Sequence, residues 1–268
     1  MIVNWEIVVV SNNCTDKTQQ VVADFVPDFP VPLRVVEANE KRGAAYARNV
    51  GVLQTKRDVI AFCDADDQVG VGWVQAAWDA LNLDLDIVTG FVHGYSHQPS
   101  ASDSTQIVRE TNSARIPVPT CNCAFIKEAF LHIGGFDESF AKYGREDSEL
   151  SIRARLAGLR IGFYPPMQVK FSPAENTLVL SRKLFQSGQA EVRMWARHPE
   201  VFPDQVNLSR VTHQFTSWAS GAVKNPALMK NRQFARQGLI SLGNVVGVLK
   251  GQRKGWGSPE LIPPANRK

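Results

Sequence analysis

The stretch RDVIAFCDADDQVGVGW, residues 57–73, joins an apolar run to a cluster of carboxylates. Val59-Ile60-Ala61-Phe62-Cys63 is short, bounded by charge, and reads as a buried strand. It stops abruptly at Asp64-Ala65-Asp66-Asp67. In open α/β sheets, ligands bind outside the carboxyl ends of the strands, which is where these acids fall. Residues two apart in an extended segment point to one side, so Asp64 and Asp66 can face one cavity. There they repel each other unless a cation joins them. Mg²⁺ or Mn²⁺, hard cations completed by a substrate's phosphates, suit such a pair. A solvated acidic turn is the alternative reading of Asp-x-Asp taken alone.

The flanking pattern predicts an α/β sheet that is mostly parallel. Strands are expected over Glu6–Val10, Leu33–Glu37, Val59–Cys63 and Asp86–Val92, with helices between them up to Phe25, over Gly43–Leu53 and over Trp73–Leu81. Thr15 or Asp16 is a candidate cap for the first helix. Further on come a polar loop (Ser96–Thr105), a strand near Ile107, a loop PTCNCAF (residues 119–125), and a helix from Glu146 to about Ala157 ended by Gly158. A short strand, Arg160–Tyr164, is expected to stop at Pro165-Pro166. From Glu175 onward the pattern is helical, broken at Pro199, Pro203 and Pro226.

The 268 residues suffice for an α/β domain of residues 1–173 and a helical extension of residues 174–268. Charge divides at the same place. Residues 1–173 carry 16 Lys+Arg and 21 Asp+Glu, whereas residues 174–268 carry 14 and 5. An acidic half can hold a cation, and a basic half can lie near an anionic surface. No nucleic-acid reading module accompanies that charge, so nucleic acid is not expected as a partner. Four cysteines make no disulfide framework, and the first residues show no signal-peptide pattern. A cytoplasmic location is expected, with possible peripheral contact at the inner membrane face through Met229–Lys254, whose apolar residues are flanked by basic ones. Packing on the core is the alternative for that segment, and Gly238, Gly243 and Gly247 weaken it as a helix.

Three further segments accompany the acidic turn: EIVVVSNNCTDKT (6–18), EKRGAAYARNVGV (40–52), and TCNCAFIKEAFLHIGGFDESFAKYGREDSELSIRARLAGLRIGFYP (120–165). In this order the four resemble family 2 glycosyltransferases of the GT-A fold, among them bacterial cell-surface and exopolysaccharide enzymes, over roughly residues 5–170. The resemblance implies a nucleotide-diphosphate-sugar donor lying across the strand ends. Asp64 and Asp66 would hold its ribose and metal–diphosphate. Ser11, Asn13, Asp16, Gly43 and Arg48 would line or support the donor site. Asn122, Gly134, Gly135, Asp137 and Glu146 would form the sugar and acceptor loops. Asp147 matches the general base, and one base without an enzyme nucleophile implies inversion. Capping of a helix start is the alternative role for Glu146 and Asp147. Asp67 supports the turn or is solvated. The implied acceptor is a glycan or a lipid-linked glycan.

Three departures from the family pattern stand out. Ser11 replaces an aspartate that can accept from the base ring. Phe171 stands where many relatives carry a histidine near the metal. The chain also opens on what looks like the family's second strand, so a preceding strand–helix unit is expected to be missing, leaving two strands without a ladder partner. The rival readings are an inactive remnant and a sugar nucleotidyltransferase, which would want a glycine-rich phosphate loop. Cys121-x-Cys123 lacks a second pair for zinc, and His93 and His97 do not share a helix face.

Overall fold

The computed structural model describes residues 4–94, 106–111, 116–140, 143–172 and 176–264. The loop expected over 96–105, with His97, lies outside them. The chain divides into two units: residues 1–141, 146–172 and 260–268, and residues 142–145 and 173–259. The last nine residues thus group with the first unit, which a single boundary at 173/174 does not anticipate.

The first unit alternates strands and helices as its hydrophobic pattern predicts. In chain order it contains β1 (Ile7–Ser11), α1 (Thr18–Phe25), β2 (Leu33–Glu37), α2 (Ala44–Gln54), β3 (Val59–Phe62), β4 (Gln68–Val69), α3 (Trp73–Leu81), β5 (Ile87–His93), β6 (Val108–Arg109), β7 (Cys123–Ile126), α4 (Lys127–His132), α5 (Glu146–Leu156) and β8 (Ile161–Lys170). β1 and β2 pair in parallel as a two-stranded sheet. The larger sheet runs β3-β7-β5-β8-β4, with β6 also on β8. β5 and β8 are parallel, and β3 and β5 are each antiparallel to the β7 between them. β3, β5 and β8 therefore share one direction, while β7 and the short edge strands β4 and β6 oppose it.

Two local expectations are corrected. The segment read as the loop PTCNCAF ends in a central strand, β7, whose four residues Cys123–Ile126 are too few to show a period. β8 does not stop at Pro165-Pro166. Thr89 pairs with Phe163 and Phe91 with Gln168, so Gly90 alone faces residues 164–167 across a bulge. The prolines sit inside that irregularity, where their missing N–H groups cost the β5 ladder nothing.

Helices cover both faces of the larger sheet. On one face Ile60, Ile87, Phe125, Phe130, Phe136, Leu150 and Phe163 form the core, with the rings of Phe62, Phe125, Phe130 and Phe136 meeting edge-on or tilted at 5.4–6.0 Å. On the other, α3 buries Trp73, Ala77 and Ala80 against Val88 and Met167. Among the described residues β1 pairs only with β2, and β3 only with β7. α2 reaches both: Gly51 lies against Val10 of β1, and Arg48 bonds Asp64 beyond β3.

The second unit is helical, with α6 (Thr177–Arg197), α7 (Leu208–Lys224) and α8 (Arg232–Lys254). Each opens on an asparagine, Asn176, Asn207 or Asn231, whose side chain accepts first-turn N–H groups. Trp195 and Trp256 pack around Val192, Val211 and Val248. The three glycines expected to weaken α8 do not interrupt it. Gly247 lies against Val192 and Gly238 under the Trp218 ring, while Gly243 lets α8 approach the Phe185 carbonyl of α6. A Cβ at 243 would collide with that carbonyl, which is backbone and cannot rotate away. Gly243→Ala is expected to destabilise the second unit by about 1–3 kcal/mol despite the better helix propensity of alanine. A thermal melt followed by far-UV circular dichroism measures this, and an unchanged or raised midpoint would contradict the close packing.

Candidate active site

β3 delivers its acids at the carboxyl end of the larger sheet. The Asp67 N–H bonds the Asp64 carbonyl at 3.1 Å, closing a turn into β4. Asp67 Oδ1 accepts the Ser172 N–H at 2.8 Å, so Asp67 supports the turn. Burial, joined by the Asp64 and Asp66 charges, pushes the Asp67 carboxyl up against the opposing effect of that hydrogen bond. Burial and the same three carboxylates push the Cys63 thiol up to about 11. Crowded negative charge is therefore the electrostatic character of this strand end.

α2 supplies the counter-charge. The largely buried Arg48 guanidinium donates to Asp64 Oδ1 at 2.8 Å and to Glu146 Oε1 at 3.2 Å, and lies 5.5 Å from the centre of the Phe136 ring. One cation thus ties the acidic turn to the first residue of α5. Glu146 is half-buried, and its buried Oε2 has no hydrogen-bond partner among the described residues. Burial first, and then the adjacent Asp147 charge, raise the Glu146 carboxyl against the pull of Arg48. A carboxyl raised in the folded state stabilises most fully below its unfolded pKa, and that contribution is lost as pH rises through the folded value. Glu146→Gln is accordingly expected to flatten the decline in melting temperature above the ordinary glutamate range. Melts between pH 4 and 7 test this, and parallel curves for the two proteins would contradict it.

Asp147, the second residue of α5, is half-buried, and its Oδ1 accepts the Ser148 N–H at 2.6 Å. Burial pushes the Cys121 thiol up to about 12, aided by the Asp64, Asp67 and Asp147 charges. The acidic turn and the start of α5 therefore converge around Cys121, just before β7. Cys121 and Cys123 are buried free thiols.

Other sequence-derived candidates fall elsewhere. Asn122 is fully buried, accepting from Trp73 Nε1 at 2.8 Å and donating to the Phe91 and Met167 carbonyls at 3.0 and 2.8 Å. Asp137 is also fully buried, and its Oδ1 accepts the N–H groups of Ser139 and Glu260, both at 2.9 Å. These polar side chains brace loops from within. Gly134 and Gly135 adopt φ of +84° and +65°. A Cβ on Gly135 would meet Asn49 Oδ1 at 2.7 Å and Ile262 at 2.6 Å. Asn49 clasps this loop, accepting from the Phe136 N–H and donating to its carbonyl, both at 2.9 Å. The chain end clasps it from the other side. Ile262 N–H bonds the Gly134 carbonyl, Glu138 N–H bonds the Glu260 carbonyl, and Ile262 is buried in the core.

At the end of β1, Ser11 is buried and Asn13 takes φ +54°. Asp16 accepts from the Thr18 N–H at 3.0 Å, and hydrogen bonds from Thr18 lower its carboxyl. Asn12, which sequence reasoning did not single out, joins this region to α2. It donates to the Ala38 and Lys41 carbonyls and accepts the Gly43 N–H at 2.9 Å. Only its place in a turn-forming SNN run signalled it. Phe171 is exposed just beyond β8.

Asp66 is exposed and makes no recorded side-chain contact among the described residues. Among those residues no three His, Cys, Asp or Glu side chains group to hold a metal. Asp66, with the second oxygen of Asp64, is a hard donor pair that fits Mg²⁺ or Mn²⁺ completed by phosphate oxygens.

The fold is of the GT-A type. The model described as glycosyl transferase family 2 matches residues 2–131, and one described as the N-terminal domain of galactosyltransferase matches residues 107–175. The first of these matches spans just under half of the chain, which resembles the family 2 glycosyltransferases over that stretch. The glycosyltransferase AglE of Haloferax volcanii is 24% identical over 214 residues, 77% of this chain and 67% of that protein. Alignments to the next two curated relatives cover 29% and 41% of their lengths. Among solved structures, the mannosyltransferase PcManGT of Pyrobaculum calidifontis, in complex with GDP-Man and Mn²⁺, superposes with TM-score 0.64 at 17% identity, covering 93% of this chain and 78% of that one. S. aureus TarS 1-349 in complex with UDP-GlcNAc gives 0.55 at 17% identity, covering 93% and 83%. Among the described residues no helix is long and apolar enough to cross a membrane.

Proposed function

We propose that this chain transfers a sugar from a nucleotide-diphosphate donor to a hydroxyl of a glycan or lipid-linked acceptor, with inversion. The observation that carries the reading is the bridging by Arg48 of Asp64, in the acidic turn, to Glu146, the residue before Asp147. The acceptor oxygen attacks the anomeric carbon as the bond from that carbon to the diphosphate oxygen breaks. Asp147 takes the acceptor proton, and the nucleoside diphosphate leaves with the bonding pair. Asp66 and Asp64 would hold Mg²⁺ or Mn²⁺, which when bound neutralises charge on the diphosphate. Arg48 keeps Asp64 and the start of α5 in register, and Asn49 fixes the neighbouring loop. The nucleotide and Mn²⁺ bound by the structural relatives support the donor class.

Calorimetric titration of UDP, GDP and dTDP with and without Mn²⁺ tests the reading. The expected result is metal-dependent binding of one nucleotide, lost in Asp64→Asn/Asp66→Asn. Absence of binding by the folded protein would overturn the donor site for the chain as it stands. One observation favours a second reading, that of an incomplete domain: among the described residues β1 and β3 each have a single strand partner. On that reading a further strand lies between them, and an in-frame strand–helix segment in the upstream coding DNA would supply it. Upstream DNA without such a segment would oppose it.

A further inference from the structure

The sequence pattern along Met229–Lys254 suggests an apolar stripe laid on a membrane; in α8 Leu239, Ile240, Val245 and Val246 are half-buried and Leu242 and Leu249 exposed. Gly243, Gly247 and Val248 are buried, with Gly243 and Gly247 against α6. Further exposed apolar surface lies at the hairpin between α7 and α8, where it is ringed by cations. Val223 is 80% exposed and Met229 46%, with Pro226 and Ala227 exposed between them. Lys224, Lys230, Arg232 and Arg236 surround this apex, all exposed, and none forms an ion pair among the described residues. The hairpin is rigid. Trp218 stacks between Phe215 and Phe234 at 5.8 and 5.6 Å, and its Nε1 donates to the Phe234 carbonyl at 2.9 Å.

We propose that this apex is the surface by which the protein docks on an anionic lipid bilayer, with Val223 and Met229 entering the headgroup boundary and the four cations meeting lipid phosphates. Charge complementarity argues for it. From residue 205 to 259 the chain carries eight Lys and Arg and no Asp or Glu. A second copy packed by this same face would oppose cations to cations. A soluble polyanion would satisfy the cations but leave Val223 and Met229 in water. An anionic interface satisfies both. The inference is independent of the catalytic reading.

The test is co-sedimentation of the full chain with vesicles of phosphatidylcholine alone and with about a third phosphatidylglycerol. Binding is expected only to the anionic vesicles, weakening steeply with salt. Lys224→Gln/Lys230→Gln is expected to lower partitioning about 30-fold, at roughly one tenfold step for each 1.4 kcal/mol. Lys224→Arg/Lys230→Arg should retain it. Val223→Ser/Met229→Ser should weaken vesicle binding about tenfold while leaving any binding to dextran sulfate unchanged. All these positions are exposed, so unaltered melts are expected. Failure to bind anionic vesicles, or binding indifferent to both the Gln and Ser variants, would overturn the proposal. Loss of vesicle binding with the Gln variant but not the Ser variant would also overturn it, in favour of a soluble polyanion.

Discussion

Asp147→Asn is expected to lower sugar transfer by about 10²–10⁴-fold while leaving nucleotide affinity within about twofold, the range for removing a positioned general base. The separation follows from geometry. Asp147 is the second residue of α5, and its contact with the Ser148 N–H needs only an oxygen acceptor, which asparagine keeps. The helix start and the Arg48–Glu146 contact should therefore survive, and so should the acidic turn that Arg48 holds. What asparagine cannot do is take a proton from an acceptor hydroxyl. Release of nucleoside diphosphate from the bound donor, compared with calorimetric affinity, distinguishes the two effects. Turnover within tenfold of the parent would remove Asp147 from the base role. Equal losses of turnover and donor affinity would make it a donor-site residue instead.

Arg48→Met is expected to have the largest effect on stability. The guanidinium is the only cation recorded on Asp64 and Glu146 among the described residues, and its removal leaves two acids around one cavity. Removing one partner of a buried ion pair costs about 3–5 kcal/mol. Asp64 is about one-third exposed, so solvent screens part of this and about 2–3 kcal/mol is expected. That corresponds to a fall of roughly 4–12 °C in melting temperature. Arg48→Lys should recover part of it, because a point charge cannot fork between two carboxylates. Adding Glu146→Gln to Arg48→Met should relieve part of the loss, since only Asp64 would then remain ionised without its partner. A melting point within a degree of the parent would show that water or mobile counter-ions serve Asp64 and Glu146 as well as Arg48 does.

The strand run Val59–Phe62, the acids that end it, and the helix beginning at Glu146 were legible in the sequence because each is a local matter of period, charge and capping. Length and hydrophobic pattern likewise gave the strand–helix alternation, and the four motifs in order gave the family resemblance. Asn122 and Asp137 show where that reading stops. Each stands in a recognisable motif, yet each is buried and braces backbone, one beneath Trp73 and the other against Glu260. Which way a polar side chain turns depends on partners 49 and 123 residues away, and no local pattern contains those partners. The same holds for β7, for the prolines in β8, and for Ile262, which returns from the chain end to fill the core beside Gly135. The sequence by itself determined most of the elements, the acidic strand end and the family resemblance. The tertiary structure alone decided that Arg48 joins Asp64 to Glu146, that Asn49 and the chain end clasp one loop, and that the glycines of α8 are points of close packing. Those outcomes rest on contacts between distant segments, whose energies arise only once the chain has closed on itself.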